Sequence, residues 1–92
     1  MATKKQQDAV WDKAKRISGR EPDQYRQDPY GTTMRRSSYG KDSSQGWEVD
    51  HIKPSAKGGS DNIRNLQALN TDVNRSKGDS LVKKSRHSKG NK

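Results

Sequence analysis

The sequence predicts a small α+β domain: a helix and a long loop, then a strand, a loop, a second strand and a second helix. Three observations carry this expectation. Val10, Ala14 and Ile17 recur at helical spacing. Residues 47–52 alternate apolar and polar with the period of two that a half-buried strand requires. Thr71-Asp72 supplies a helix start directly after the short apolar stretch 66–70.

The first helix is expected over residues 6–18, with Ala9 and Trp11 flanking the apolar stripe, charged residues on the opposite face and Gly19 as the C-terminal stop. It is a packing helix with no chemistry of its own. Residues 19–33 hold Gly19, Pro22, Pro29 and Gly31 and read as a turn-rich loop that Tyr25 and Tyr30 pin to the body of the domain. Residues 33–39 read as a short strand, and Gly40 to Gly46 as a polar turn. Along 47–52, Trp47 and Val49 point one way, with His51 as a further candidate for that face, while Glu48, Asp50 and Ile52 point the other. Pro54 ends the strand, and residues 53–62 loop through Gly58-Gly59-Ser60-Asp61, where the glycines permit a tight turn. Ile63 and Leu66 are expected to re-enter the core, with 66–70 as the second strand. The last helix runs from Val73 to Lys77 and is closed by Leu81 and Val82. Residues 83–92 hold Lys83, Lys84, Arg86, Lys89 and Lys92 without an acid, which reads as a disordered basic tail behind a single domain at 1–82.

Composition sets the energetic problem. The chain has 92 residues, a formal charge of +9 and only 24% hydrophobic residues, with no Phe and no Cys. Leu, Ile and Val together number 10 of 92 residues, well under the roughly 20% at which a core-poor chain tends to disorder. So small a core offsets chain entropy with difficulty, and domains of this kind recruit a disulfide, a metal or a partner. Absent cysteine removes disulfides and thiolate zinc sites, leaving a bound metal or nucleic acid as the expected stabiliser. The excess of 20 Lys and Arg over 11 Asp and Glu points to a polyanion, most commonly nucleic acid. No stretch approaches the roughly 18 apolar residues of a membrane span, and the N-terminus lacks the apolar run of a signal peptide, so the expectation is a cytoplasmic protein with no membrane partner.

Within this basic chain one set of residues stands out. Asp50-His51 lies in Trp47-Glu48-Val49-Asp50-His51-Ile52; Asn65 follows fourteen positions after His51, and Asn74 nine after that. A carboxylate, an imidazole and an amide oxygen that converge are what metal-assisted phosphodiester hydrolysis needs. The segment Trp47 to Asp79 resembles the HNH endonuclease family through Asp50-His51-Ile52-Lys53-Pro54, Lys57-Gly58-Gly59-Ser60-Asp61-Asn62, Asn65-Leu66-Gln67 and Asn74-Arg75-Ser76-Lys77-Gly78-Asp79. The upstream pieces Trp11, Lys13-Ala14, Gly19-Arg20, Pro22, Tyr25-Arg26, Tyr30-Gly31 and Arg35-Arg36-Ser37 are similar to small stand-alone HNH proteins of bacteria and their phages. The resemblance implies a ββα-metal (His-Me finger) nuclease core at 47–79. Two departures are visible. The final motif position, often His, is Asn74, a variant also found in the family; and the two CxxC pairs that hold a structural zinc in many members are missing. No structural zinc is expected, and the N-terminal helix and aromatic loop must hold the fold instead.

His51 is the candidate general base, because an ordinary imidazole titrates near the pH at which a base works best in neutral solution. Asp50 and Asn74 are the metal ligands that the resemblance implies, and oxygen donors suit Mg²⁺ or Mn²⁺. Asn65, by the same resemblance, ties down the loop after the first strand and so orients His51. Asn62 and Asp61 read as loop-capping residues, Trp47 as core, and His87 as having no role. Arg75, Lys77, Lys53, Lys57, Arg35 and Arg36 are candidates for gripping phosphates, each with a solvated surface charge as the plainer alternative. The leading expectation is therefore a divalent-metal-dependent endonuclease acting on DNA. The alternatives are a non-catalytic basic nucleic-acid-binding module on the same fold, and a largely disordered basic peptide. No base-reading helix is recognisable, so low sequence specificity is expected. A dimer would cut both strands and a monomer would nick; the residues are compatible with either.

Overall fold

The structure, a computed structural model, describes residues 2–77. Gly78 and Asp79 of the last motif, Leu81, Val82, the basic tail at 83–92 and His87 lie outside the described residues, as does the side chain of Lys77.

Helix α1 spans Lys4–Lys13 and starts in a reciprocal cap: Gln6 N donates to Thr3 Oγ1 at 3.0 Å, and Thr3 N to Gln6 Oε1 at 2.9 Å. It ends earlier than its apolar period predicts. Ala14 is already extended, and Lys15–Arg16 form a short strand, β1. The cause is a buried arginine. Arg26 is 6% exposed, and its Nη1 donates to the carbonyls of Asp12 (3.0 Å) and Ala14 (3.2 Å) while Nε donates to Pro22 O (2.9 Å). A guanidinium from a neighbouring strand thus takes carbonyls near the helix end that another turn would otherwise occupy. Gly19 sits in a turn beyond β1 at φ +80° and does not terminate the helix.

The 19–33 stretch holds a strand that its turn residues conceal. β2 (Tyr25–Gln27) pairs antiparallel with β1 and with β3 (Thr33–Arg35), in the order β1-β2-β3. The strand predicted for 33–39 ends at Arg35, where residues 36–38 tighten into a 3₁₀ turn. Trp47 Nε1 donates to Arg36 O at 3.1 Å and holds that turn against the next sheet.

β4 (Trp47–His51) and β5 (Leu66–Asn70) form a two-stranded antiparallel sheet in the register Trp47↔Asn70 through His51↔Leu66, and α2 (Thr71–Lys77) follows without a linker. This is a mixed α+β arrangement whose second half runs strand, strand, helix. Helix α1 packs on one face of the hairpin, where Val10, Trp11, Met34, Trp47, Leu66 and Ala68 form the core with Ala14, Tyr39 and Val49 beside them. Trp47 is clasped by two rings, Trp11 at 5.0 Å between centroids and Tyr39 edge-on at 4.9 Å. The N-terminal helix therefore does share the core of the hairpin. The aromatic loop does so less: Tyr30 is 44% exposed, and Tyr25 lies partly buried beneath the Arg20 guanidinium. Ile63, expected inside, is 37% exposed; its segment is tied to α1 through the backbone, with Lys13 Nζ donating to Ile63 O and Leu66 O, both at 2.7 Å.

Buried polar side chains do what the missing apolar residues cannot. The carboxylate of Asp28, 1% exposed, accepts from Tyr30 N and Thr32 N at 2.9 Å and from Asn70 N at 3.2 Å. Asn70, also 1% exposed, donates from Nδ2 to Ser44 O (2.8 Å) and Thr33 O (3.2 Å) and accepts at Oδ1 from Asp72 N (2.9 Å) and Val73 N (3.4 Å). It is the N-terminal cap of α2, a role the sequence assigns to Thr71 and Asp72. Thr71 instead donates from its hydroxyl to Lys41 O at 3.2 Å, docking the 40–46 turn. Replacing Asn70 with Ala removes the cap and strands two carbonyls, and should lower stability by about 3 kcal/mol in urea unfolding. An Asn70→Ala chain that unfolds at the wild-type midpoint would show that this junction is not what secures α2.

Candidate active site

Of the residues singled out from the sequence, Asp50, His51 and Asn65 lie at the loop end of the β4–β5 hairpin and Asn74 on α2. Strand alternation puts Glu48 and Asp50 on the face of β4 opposite the core, which is the face α2 covers. Asp50 stands across from Gln67 in the strand register, and Gln67 Nε2 donates to Asp50 Oδ2 at 2.9 Å. Asn74, one turn into α2, donates from Nδ2 to Glu48 Oε1 at 2.7 Å. Spending the NH₂ group on Glu48 turns the amide oxygen, the atom that could bind a cation, away from that carboxylate. Glu48 is the residue that sequence reasoning passed over. Its signal was available: two positions before Asp50, it shares that residue's face.

His51 occupies the other face with Val49, partly buried in a cleft that Ala2, Gln6, Asp61 and Leu66 also line. Its Nε2 lies 2.7 Å from Asp61 Oδ1. Asp61 belongs to the loop that joins β4 to β5, and Asn65 organises that loop. Asn65 Oδ1 accepts from Lys53 N (2.8 Å), while Nδ2 donates to Lys53 O (3.1 Å) and Ser60 O (2.7 Å). One amide thus clamps both ends of the turn. The glycines are what let it close. Gly58 adopts φ +90°, and a Cβ on Gly59 would collide with the Lys53 carbonyl oxygen and come within 2.9 Å of Asn65 Nδ2. Asn62 caps the following 3₁₀ turn by accepting from Arg64 N at 2.9 Å, the loop-capping part expected of it.

The basic candidates are distributed unevenly. Lys53 and Lys57 are exposed on the β4–β5 loop. Arg75 follows Asn74 but pairs with Asp42 at 2.9 Å, and this contact, with smaller contributions from Asp72 and Glu48, raises its pKa further. Arg36 donates to Asp8 at 3.0 Å and lies 5.8 Å from the Trp11 ring centroid, which ties it to α1; Arg35 is exposed on β3.

Among the described residues, no three His, Cys, Asp or Glu side chains gather as a metal-holding group. The donors that the α2 face does offer are oxygens, those of Asp50 and of the Asn74 amide with the Glu48 carboxylate alongside. That chemistry fits a hard divalent cation and not a thiophilic one.

The second half of the described chain runs strand, strand, helix, with Asp50-His51 at the end of β4 and Asn74 on α2. Residues 37–80 match the family model described as HNH endonuclease, which supports the resemblance read from the sequence. Comparison with curated proteins and with solved structures returned no match. Members of that family are generally nucleases, and the match supports a nucleic-acid-related function for this segment.

One consequence of the Glu48 position is measurable. Burial, and secondarily the negative charge of Glu48, raise the Tyr39 pKa above the ordinary 10.0. Because the folded pKa is the higher one, this contribution to stability is intact below pH 10.0 and disappears as pH rises through the folded value. In Glu48→Gln the tyrosinate absorbance of Tyr39 should titrate at lower pH than in wild type yet still above 10.0, since burial is the larger cause. An unmoved titration would place the charge of Glu48 elsewhere.

Proposed function

We propose that this protein is a divalent-metal-dependent endonuclease that hydrolyses DNA phosphodiester bonds, with His51 as general base, Asp50 and Asn74 as the metal ligands and Asn65 as the residue that sets the catalytic loop. The observation that carries this reading is the Asn74–Glu48 hydrogen bond of 2.7 Å, which seats α2 on the Asp50 face of β4 and turns the Asn74 amide oxygen away from Glu48. Within a segment that matches the HNH endonuclease family, this supports reading Asp50 and Asn74 as a ligand pair.

Mg²⁺ or Mn²⁺ is the cation that suits Asp50 and Asn74, and when bound it supplies positive charge where the phosphorane becomes negative. Asp50 and Asn74 would hold such a cation with only two protein ligands, and it would therefore bind weakly until nucleic acid is present. His51 takes the proton of the attacking water as the water oxygen bonds to phosphorus; the P–O3′ bond breaks, the 3′ oxygen picks up a proton from solvent, and the other product carries a 5′-phosphate. Lys53 and Lys57 beside the loop, with Arg35, Arg75 and Lys77, provide the phosphate contacts that a net charge of +9 leads one to expect; these are contacts to backbone, so they favour any sequence alike. Arg75 would exchange Asp42 for a phosphate on binding.

The test is nicking of supercoiled plasmid with Mg²⁺ or Mn²⁺. Wild type should cleave, chelator should stop it, and His51→Ala should lower turnover by about 100- to 10,000-fold with binding retained. Asp50→Ala and Asn74→Ala should raise the Mn²⁺ concentration needed for half-maximal cleavage. Salt-sensitive DNA binding without metal-dependent turnover would instead support a basic binding module on this fold. Cleavage by His51→Ala at the wild-type rate would end the nuclease assignment of this site.

A further inference from the structure

We infer that Asp61 is a positioning residue for His51, the charged half of a His–Asp pair that sets which imidazole nitrogen faces the reacting water. The inference rests on the general-base reading of His51 and adds to it a residue that the sequence presents only as part of a loop.

The argument begins with the 2.7 Å separation between His51 Nε2 and Asp61 Oδ1. A carboxylate only accepts, so at that distance the proton lies on Nε2, and in the neutral ring the lone pair is then on Nδ1. The contact chooses the basic nitrogen. It also fixes the plane of the ring. The side chains are 33% and 80% exposed, so Asp61 keeps its hydration on most sides and stands at the lip of the cleft, not in the core.

Asp61 is held there by its neighbours. Ser60, directly before it, gives its carbonyl to Asn65 Nδ2 at 2.7 Å, and Asn62, directly after it, caps the 3₁₀ turn through Arg64 N at 2.9 Å. Asn62 N also donates to Ser60 Oγ at 3.3 Å, bridging over Asp61. Gly59 lets this segment lie against Lys53, where any Cβ would strike the backbone. The β4–β5 loop is therefore a short mechanical link: Asn65 grips the backbone at Ser60, Ser60 delivers Asp61, and Asp61 meets the imidazole that β4 carries. Asn65 makes no hydrogen bond to the His51 ring in this arrangement, and Asp61 is how its clamp reaches His51.

The experiment compares Asp61→Asn and Asp61→Ala with wild type in three measurements: ¹⁵N-edited NMR of the His51 ring, plasmid nicking, and DNA binding. Asp61 is exposed, so both variants should keep the wild-type melting temperature. In wild type the His51 Nε2–H proton should resonate downfield and exchange slowly, because it is held by a carboxylate. In Asp61→Ala that signal should vanish and kcat should fall by about 10- to 100-fold with KM for DNA little changed. Asp61→Asn, whose amide oxygen still accepts but carries no charge, should lie between the two in both readouts. A purely structural loop residue would instead lower melting temperature, kcat and binding together, and that pattern would overturn the inference. So would a wild-type kcat in Asp61→Ala, a faster Asp61→Ala enzyme, or a wild-type ring with no protected Nε2–H. If wild type does not cleave at all, the nuclease reading fails on its own, and the NMR arm still decides whether Asp61 holds the ring.

Discussion

The structure turns on the junction between β5 and α2, where the buried carboxylate of Asp28 receives the backbone N–H of Asn70. Asn70 then distributes that anchorage: its side chain holds Thr33 O from the first sheet and Ser44 O from the loop before β4, and it caps α2. Four segments distant in sequence thus meet at one amide. Asp28 and Asn70 are each 1% exposed, so a bond that either fails to make would leave a desolvated group, and that penalty makes the arrangement selective. Asn74 lies one helical turn beyond this cap, which means that the position of the candidate ligand on α2 is inherited from Asp28 in the N-terminal half.

The same logic accounts for a fold with so little apolar material. Among the described residues eight hydrophobic side chains are buried, six of them in the cluster around Trp11 and Trp47, and four polar ones, Arg26, Asp28, Asn70 and Thr71, are buried as well. Composition pointed to a bound metal or a ligand as the needed stabiliser. The protein has a further means: side chains that satisfy backbone groups across element boundaries, two indoles that pack together, and an arginine that stops α1 so that β1 can form. The N-terminal helix is structural throughout, since α1 covers the hairpin face opposite to α2.

The hairpin divides the candidate chemistry between its two faces. Alternation along β4 sends Glu48 and Asp50 toward α2 and Val49 and His51 toward the cleft. Neighbouring residues in sequence therefore address different surroundings, one set bounded by a helix and the other by the β4–β5 loop. In the proposed reaction this separates the group that holds a cation from the group that receives a proton. The loop earns its rigidity locally, from the Asn65 clamp and two glycines, and owes little to the core.

Much of this was legible in the chain by itself. Short-range periodicity and turn chemistry suffice for the existence of α1, though not for its end, since Ala14 and Ile17 of the predicted stripe lie beyond it, and for β4, β5 and the start of α2, because these depend on neighbours within a few residues. The Asp50, His51, Asn65 and Asn74 set was legible too, since its spacing survives in the sequence whatever the packing, and residues 37–80 match the family it suggested. What the chain alone did not disclose depends on contacts across long separations. Arg26 stops α1 through Asp12 and Ala14, Asp28 anchors Asn70 across 42 residues, and the exposure of Ile63 and Tyr30 reverses what their apolar side chains imply. Asp61 looked like one more turn-forming acid and Glu48 like one more polar residue on a strand. Only the folded backbone brings Asp61 to the His51 ring and Glu48 to Asn74, because hydrogen bonds at 2.7 Å are set by where elements meet in space and leave no periodic trace along the chain.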